Sequence, residues 1–390
     1  MNLATDALAR QRLLQIERAR HAVMDEGGSL TDALVGAWYA QAQADHAWIT
    51  RSWQRCLAQG QRPGQRVAFD VVPAAAMRRA HEANHALVQA ARPVIEHLCR
   101  AIASTRYFAI LTDAQGTVID VGGPVDRSDP RAEAIARVGV DLSERSIGTS
   151  AIATALAERQ PVWLHRGEHF FDDTAAYSCA GAPLFGPDGH CVGMLDLTGI
   201  ETVERPELKH LVAQSASSIE NALLLARPHR LLLQLNWPGR LGPLGGASAD
   251  GLVCLDADGL VAGANQAARQ MIPALAPGQA ATGVPLHCDE LFAAPHQMLF
   301  DAARQHGAEA PPLDLPLWSG LRLHARPVPA GAAPARAAGS RAALGHAPLK
   351  DVEIALIRQA VADARGNVME AARTLGISRA TVYRKLGRKP

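Results

Sequence analysis

Hydrophobic and polar positions change period several times along the chain, and each change predicts a new kind of element. Residues 1 to about 100 are rich in Ala, Leu, Gln and Arg and break at Gly27-Gly28, where Ser29, with Asp32 three residues on, can cap a helix. This part reads as a helical lead-in. From Tyr107 the runs shorten and become strand-like. YFAILTD, the turn Ala114-Gln115-Gly116 and TVIDVGG predict one hairpin, and AGAPLF, GPDG and HCVGMLDLTG a second. Helices are expected between them near 132–137 and 149–158, and a closing helix from Pro206 to about Ala226. Prolines and glycines at Pro228, Pro238, Gly239, Pro243, Gly245 and Gly246 predict a boundary. A shorter segment follows, in which GLVCLDADGLVAGANQAARQMI reads as strand, Asp-Gly turn, strand and a helix starting near Asn265. It continues through LDLPLW and RLHARPV. Four prolines between 327 and 348 stand among Ala and Gly and predict a semi-extended linker. The fold class expected is α+β and multidomain.

The final segment carries the most specific pattern. In GNVMEAARTLGISRATVYRKL, residues 366–386, Asn367 can cap a first helix and Glu370 can reach back to it, Gly376 can end it, and Ser378 can cap a second. Val368, Ala371, Ala372, Leu375, Ile377, Val382 and Leu386 form one apolar seam in which two alanines permit a close helix crossing. Arg379, Thr381, Arg384 and Lys385 are left on the opposite face, where such side chains can reach base edges and phosphates. A plain basic surface helix is the competing reading. Apolar residues at Leu349, Val352, Ile354, Leu356, Ile357, Ala360 and Val361 supply more apolar face than one small module needs. That excess points to a homodimer, which would place two recognition helices on a palindromic site.

Charge sharpens this picture. The chain of 390 residues has a formal net charge of +1, but residues 349–390 hold nine Lys or Arg against four acids, a net +5, leaving −4 for the rest. Six cysteines, Cys56, Cys99, Cys179, Cys191, Cys254 and Cys288, show no CxxC pair, and the N-terminus lacks the layout of a signal peptide. Together with the lack of an apolar run of bilayer length, this predicts a cytoplasmic location and no membrane partner.

The C-terminal module resembles the Fis-type helix-turn-helix, whose usual wording is GN...AA..LGISR.T.YRKL. The resemblance implies that Ser378, Arg379 and Arg384 face bases and that Thr381 and Lys385, with Tyr383, hold phosphates. Residues from about Ile49 to Glu201 resemble the acetoin-catabolism activator type of regulator, which carries a GAF sensor domain. The motifs are ITRSWQRC (49–56), SERSIGTSAIATAL (143–156), PVWLHRGEHF (161–170) and CAGAPLFGPDGHCVGMLDLTG (179–199). The commoner wording GTNAIGTAL stands here as GTSAIATAL, altered at Ser150 and Ala153. Residues 247–326 resemble a degenerate PAS domain through LDADG and ANQAAR.

The resulting organisation is a lead-in (1–100), a GAF-like sensor (101–227), a Pro/Gly linker (228–246), a PAS-like domain (247–326), a Pro/Ala linker (327–348) and an all-α Fis-type module (349–390). A GAF pocket implies a small-molecule effector, with Trp163, His169, Phe170, Phe171, Tyr177 and Cys179 in the stretch that would form its lid and wall. Ordinary core aromatics are the alternative reading for each.

HRGEH at 165–169 spells the HxxEH pattern of zinc hydrolases, but it follows a strand-like PVWL and contains Gly167, so the helix that would align the ligands is not expected. No metal, cofactor or catalytic residue is therefore assigned. None of the four lysines, Lys209, Lys350, Lys385 and Lys389, follows a glycine, so the phosphate-cradling GxxxxGK[ST] loop of sigma-54 activators does not occur in this sequence, nor does GAFTGA. The reading is a ligand-responsive, DNA-binding regulator without ATPase chemistry, with RNA polymerase or a related activator as a further partner. Two rivals stay open: an antagonist or heterodimer partner of a full-length activator, and a zinc hydrolase at 165–169.

Overall fold

The computed structural model describes residues 13–14, 16–21, 23–24, 39–69, 72–238, 251–277, 286–306, 312–330, 354, 357–362, 364, 367–375 and 377–386. Over 39–47 it describes the backbone alone. The Gly27-Gly28 break, the Ser29 cap, Gly376, Leu349, Val352 and the Pro/Ala linker from residue 331 lie outside these residues.

The first unit begins with α1 (Tyr39–Ala58), α2 (Ala74–Ala83) and α3 (His85–Ile102), which lead into β1 (Tyr107–Asp113) and β2 (Val118–Gly122). Short helices α4 (Pro130–Ile135), α5 (Glu144–Ile147) and α6 (Ala151–Glu158) precede β3 (Val162–His165), β4 (Tyr177–Phe185) and β5 (Cys191–Ile200), and α7 (Leu208–Leu225) closes the unit. The strands pair antiparallel in the order β2-β1-β5-β4-β3.

This sheet is buried on both faces, which separates the apolar residues into two cores. One face carries Ala109, Leu111, Trp163, Ala180 and Leu197 against α3 and α7. The other carries Phe108, Ile110, Cys179 and Met194 against α1, α4, α6 and the loop holding Phe170 and Phe171. The sequence reading places everything before residue 101 in a lead-in, and the packing corrects this. Leu87, Val88, Ala91, Ile95 and Leu98 on α3 complete the first core, and Trp48, Ile49, Trp53 and Cys56 on α1 complete the second. A sheet with two apolar faces needs a cover on each, and the N-terminal helices supply much of both.

The second unit consists of β6 (Leu231–Asn236), β7 (Gly251–Leu255), β8 (Val261–Ala264), α8 (Gln266–Met271), α9 (Cys288–Leu291), α10 (His296–His306), β9 (Leu313–Pro316) and β10 (Arg322–Pro329). Its antiparallel order is β8-β7-β6-β10-β9. Here the expected linker at 228–246 needs correction, because Leu231–Asn236 is the central strand of the sheet. The flanking prolines and glycines obscure a run, LLLQLN, whose leucines alternate into the core. β10 runs on to Pro329, so 327–329 are sheet rather than linker. In both sheets the first strand pairs with the last, β1 with β5 and β6 with β10.

Equivalent turns close the β1–β2 and β7–β8 hairpins. Asp113 Oδ1 accepts from the Gln115 and Thr117 amides, both at 2.9 Å, and Asp256 Oδ1 accepts from Asp258 (3.0 Å) and Leu260 (2.9 Å). Gly116 and Gly259 supply the left-handed residue at φ +89° and +85°.

The two units are docked along the β4–β5 turn and α7. Pro187 O accepts from the Ala264 amide at 2.9 Å and from the Arg269 guanidinium at 2.6 Å, and Asn265 Nδ2 donates to Asn221 Oδ1 at 2.9 Å. At the C-terminal end, helical residues 357–362 pack on α11 (Val368–Thr374) and α12 (Arg379–Leu386) around Ile357, Ala372, Leu375 and Val382.

Candidate functional site

A cavity of about 30 Å³ lies between the second core and the sheet of the first unit, with a mostly apolar wall that includes Ile110, Ile135, Leu142, Ile147, Ile152 and Phe69. On the order of 10 to 15 Å³ by this measure accommodates one water, so the space takes about two water-sized groups. Strand alternation decides which polar side chains reach it. Cys179 on β4 stands opposite Thr198 on β5, and Asp196 stands opposite Gly181 and Ile110, so all face the same side. Gly181 has no room for a side chain, since a Cβ there would lie 2.5 Å from Met194 Cε and 3.1 Å from Ala151 O.

Of the expected pocket residues, His169, Tyr177 and Cys179 line the cavity. Phe170 and Phe171 stand one layer back, in edge-to-face contact at 5.1 Å beneath Gly148. Trp163 is on the opposite face of the sheet, where β3 pairs it with Ala180 in the core of α3 and α7. Its indole is stacked parallel to His165 at 6.4 Å. The sequence reading missed Asp196, Thr198, Ser150 and Phe69. An aspartate in the middle of the apolar run GMLDLTG is the signal that could have found Asp196.

Two buried polar atoms at this cavity have no protein partner, Asp196 Oδ1 and His169 Nε2. The Thr198 hydroxyl donates to Asp196 Oδ2, and Cys179 Sγ lies 3.4 Å from the Thr198 hydroxyl. His169 Nδ1 is 2.9 Å from Arg166 O, and since a carbonyl can only accept, Nδ1 carries the proton and Nε2 offers a lone pair. Complete burial holds the His169 pKa down at about 4, against the opposing pull of the Arg166 carbonyl, so the ring is neutral at pH 7. Burial pushes the Asp196 carboxyl up to about 7, with the Thr198 hydrogen bond working the other way.

These shifts oppose each other in their effect on stability. Asp196 binds its proton more tightly folded than at its ordinary 3.8, so between about pH 4 and 7 its contribution is lost as pH rises. His169 binds its proton more weakly folded than at its ordinary 6.5, so between about pH 4 and 6.5 its contribution grows as pH rises. Relative to wild type, Asp196→Asn should therefore tilt the stability profile upward with pH and His169→Gln should tilt it downward. Urea midpoints between pH 4 and 7.5 check this, and slopes unchanged in both variants would contradict it.

The lid of the cavity is held from outside. Trp53 Nε1 donates to Glu168 O at 3.0 Å, and Arg20 donates to the carbonyls of Gly167 (3.1 Å), His169 and Phe170 (3.1 Å) while pairing with Asp172 at 2.8 Å. ITRSWQRC and SERSIGTSAIATAL meet here. Arg55 makes a two-pronged contact to Glu144 at 2.8 Å for both prongs, and the Ser52 hydroxyl bonds Glu144 (2.5 Å) and Thr149 (2.8 Å). Ser150, at an altered motif position, caps α6 by accepting from the Ala153 amide at 3.1 Å, a role its hydroxyl performs without an asparagine. In the HRGEH stretch the three side chains take separate partners. His165 Nδ1 contacts Ser178 at 2.8 Å, Glu168 accepts the His165 amide at 2.6 Å, and His169 holds Arg166 O. The backbone there is one short 3₁₀ turn, Arg166–Glu168.

The second site is the exposed side of α12. Asn367 Oδ1 accepts from the Met369 (3.1 Å) and Glu370 (3.3 Å) amides to start α11, and Ser378 Oγ accepts from the Thr381 amide at 3.1 Å to start α12. Ala371 and Ala372 are buried at the crossing, and Val382 is fully enclosed. Ser378, Arg379 and Arg384 are exposed, while Thr381, Tyr383 and Lys385 are half-buried on the flanks.

Comparison with known proteins finds relatives for both ends of the chain. Residues 348–388 match the model of the bacterial regulatory protein, Fis family, and residues 30–221 match that of MimR, N-terminal domain. The chain is 30% identical over 236 residues to the acetoin catabolism regulatory protein of Cupriavidus necator, an alignment covering 59% of this chain and 35% of that protein. It is 27% identical over 176 residues to the acetoin dehydrogenase operon transcriptional activator AcoR of Bacillus subtilis, covering 45% and 29%. The chain thus spans about a third of the length of these relatives. Among solved structures, the E. coli DhaR(N)-DhaL complex aligns with 71% of this chain and 98% of that chain at 15% identity and a TM-score of 0.42. The chain accordingly ends in a Fis-family helix-turn-helix and is homologous, at about 30% identity, to the acetoin catabolism regulators.

Proposed function

We propose that this chain is a sequence-specific DNA-binding transcription regulator whose activity responds to a small molecule held in the first unit. The observation carrying the proposal is the capped, alanine-crossed helix pair that leaves Arg379 and Arg384 exposed on the outer face of α12. In this reading Arg379 and Arg384 reach base edges, and Thr381, Tyr383 and Lys385 hold phosphates. The Ser378 hydroxyl is engaged on the helix cap, so Ser378 serves by presenting the helix start to the DNA. A homodimer on a palindromic site gives the two helices their spacing.

The first unit is read as GAF-like and the second as PAS-like. The cavity favours an uncharged effector, because its wall is apolar, His169 is neutral, and the orphaned Nε2 requires a hydroxyl-type or N–H donor. His169, Tyr177 and Cys179, joined by Asp196 and Thr198, are the contacts expected. Docking of the second unit on the β4–β5 turn supplies a route by which occupancy can bias the rest of the chain.

The test is a promoter-fragment binding assay on the full chain, repeated with small alcohols and hydroxyketones. An effector should shift DNA affinity about fivefold or more, as typical coupling energies imply. Asp196→Asn should bind DNA as wild type does and lose the shift. A shift that survives intact in Asp196→Asn and in His169→Gln would remove the cavity from the proposal.

A further inference from the structure

We propose that His287, Asp289 and His296 form a binding site for one divalent transition-metal cation of the zinc type, in the second unit and apart from the effector cavity. The sequence reading assigns no metal. HCDE and the later APH do not spell a ligand motif, and the three residues come together because only four residues, 292–295, separate the short α9 from the start of α10. One ligand atom from each of the three lies within 4.8 Å of the others. Asp289 Oδ2 is 3.1 Å from His296 Nδ1 and 3.5 Å from His287 Nδ1. The edge of a tetrahedron around zinc, with bonds of about 2.0 to 2.1 Å, is about 3.3 Å, so the Asp289 oxygen stands at coordination spacing from both imidazole nitrogens.

The surroundings orient the donors as metal ligands are usually oriented. His287 Nε2 lies 2.8 Å from Asp258 O, which fixes its proton on Nε2 and leaves Nδ1 with a lone pair toward the cluster. Asp289 Oδ1 accepts the His296 amide at 2.7 Å, and the Asp289 carbonyl accepts from Trp318 Nε1 at 2.8 Å, so the carboxylate is anchored with Oδ2 left over. The two imidazoles meet edge to face at 4.9 Å. Gly259 is required beside them, since a Cβ there would lie 2.8 Å from His287 Nε2 and 3.3 Å from His296 Cγ.

Without metal the same atoms make ordinary bonds, and each has a defined fate on binding. The Asp289 amide donates to His287 Nδ1 at 3.2 Å, a long cap that the cation replaces. His296 Nδ1, bonded to the carboxylate, carries the proton in that state. The cation takes the Nδ1 lone pair, and the proton moves to Nε2 of the same ring. Two imidazoles and a carboxylate suit zinc, cobalt, nickel or iron better than magnesium or calcium. All three side chains are a quarter to a half exposed, which leaves an entry path and a coordination position for water.

The experiment titrates the EDTA-treated full chain with zinc by calorimetry and with cobalt by visible absorption. Wild type should take one zinc per chain and give the d–d bands of tetrahedral cobalt. His287→Ala and His296→Ala should each weaken binding at least tenfold, as should Asp289→Asn, which preserves shape and covers the case of a misfolded alanine variant. His81→Ala, in the His81–His85 ring pair, should bind as wild type does. The proposal is overturned if wild type binds no zinc tighter than about 100 μM, if the folded His287→Ala, His296→Ala double variant keeps its equivalent, or if the single losses stay under tenfold.

Discussion

Replacing Arg379 and Arg384 together with alanine should abolish sequence-specific DNA binding while leaving the chain folded. Both side chains are exposed, and neither belongs to the cluster of Ile357, Ala372, Leu375 and Val382 that holds the module together. Stability should therefore change little. Loss of one base-reading arginine costs about 1 to 3 kcal/mol, so the pair should lower specific affinity by on the order of a thousandfold. Lys385→Ala is the informative contrast. A phosphate contact carries no sequence information, so this variant should weaken binding to all fragments alike and reduce the salt slope by about 1. Gel-shift titrations on promoter and scrambled fragments at several salt concentrations separate the two. Unchanged specific binding in the double arginine variant would sink the assignment of α12 as recognition helix.

Trp53→Ala should be the most destabilising single change in the first unit. The side chain is 2% exposed in the core beneath the cavity lid, and its indole N–H is bonded to Glu168 O at 3.0 Å. Truncating a buried tryptophan costs about 3 to 5 kcal/mol, because packing is lost and a cavity remains. Trp53→Phe keeps much of the packing but strands a buried carbonyl, a loss of about 1 to 3 kcal/mol. Urea unfolding of the two variants should rank them in that order. A loss below about 1 kcal/mol in Trp53→Ala would mean that α1 is not part of the folded unit, contrary to its packing.

The second result bears on how far the sequence could be read. ITRSWQRC is recognisable as a motif, but nothing in its spacing shows that Ser52 and Arg55 bond Glu144, or that Trp53 holds the lid. Those partners are about ninety to a hundred and fifteen residues away. The cavity shows the same division. Of the stretch from Trp163 to Cys179, His169, Tyr177 and Cys179 line it, while alternation along β3 and β4 puts Trp163 on one face of the sheet and Cys179 on the other. The local mark of Asp196 is only that of a lone acid in the apolar run GMLDLTG, and its significance comes from burial at a cavity that it shares with His169 and Thr198.

What the sequence by itself determined are the features settled within about four residues. The Asp113 and Asp256 turns with Gly116 and Gly259, the Asn265, Asn367 and Ser378 caps, and the strands β1, β4 and β5 all occur where the residues predict them. They do so because side chain and backbone partner are neighbours in the chain, and no distant contact has to form first. Only the tertiary structure decided that β6 is a central strand, that α1 and α3 complete two cores, and that His287, Asp289 and His296 converge. Each of these depends on which strand or helix lies alongside which other, a choice made by the joint burial of many apolar side chains rather than by any one segment's own preference.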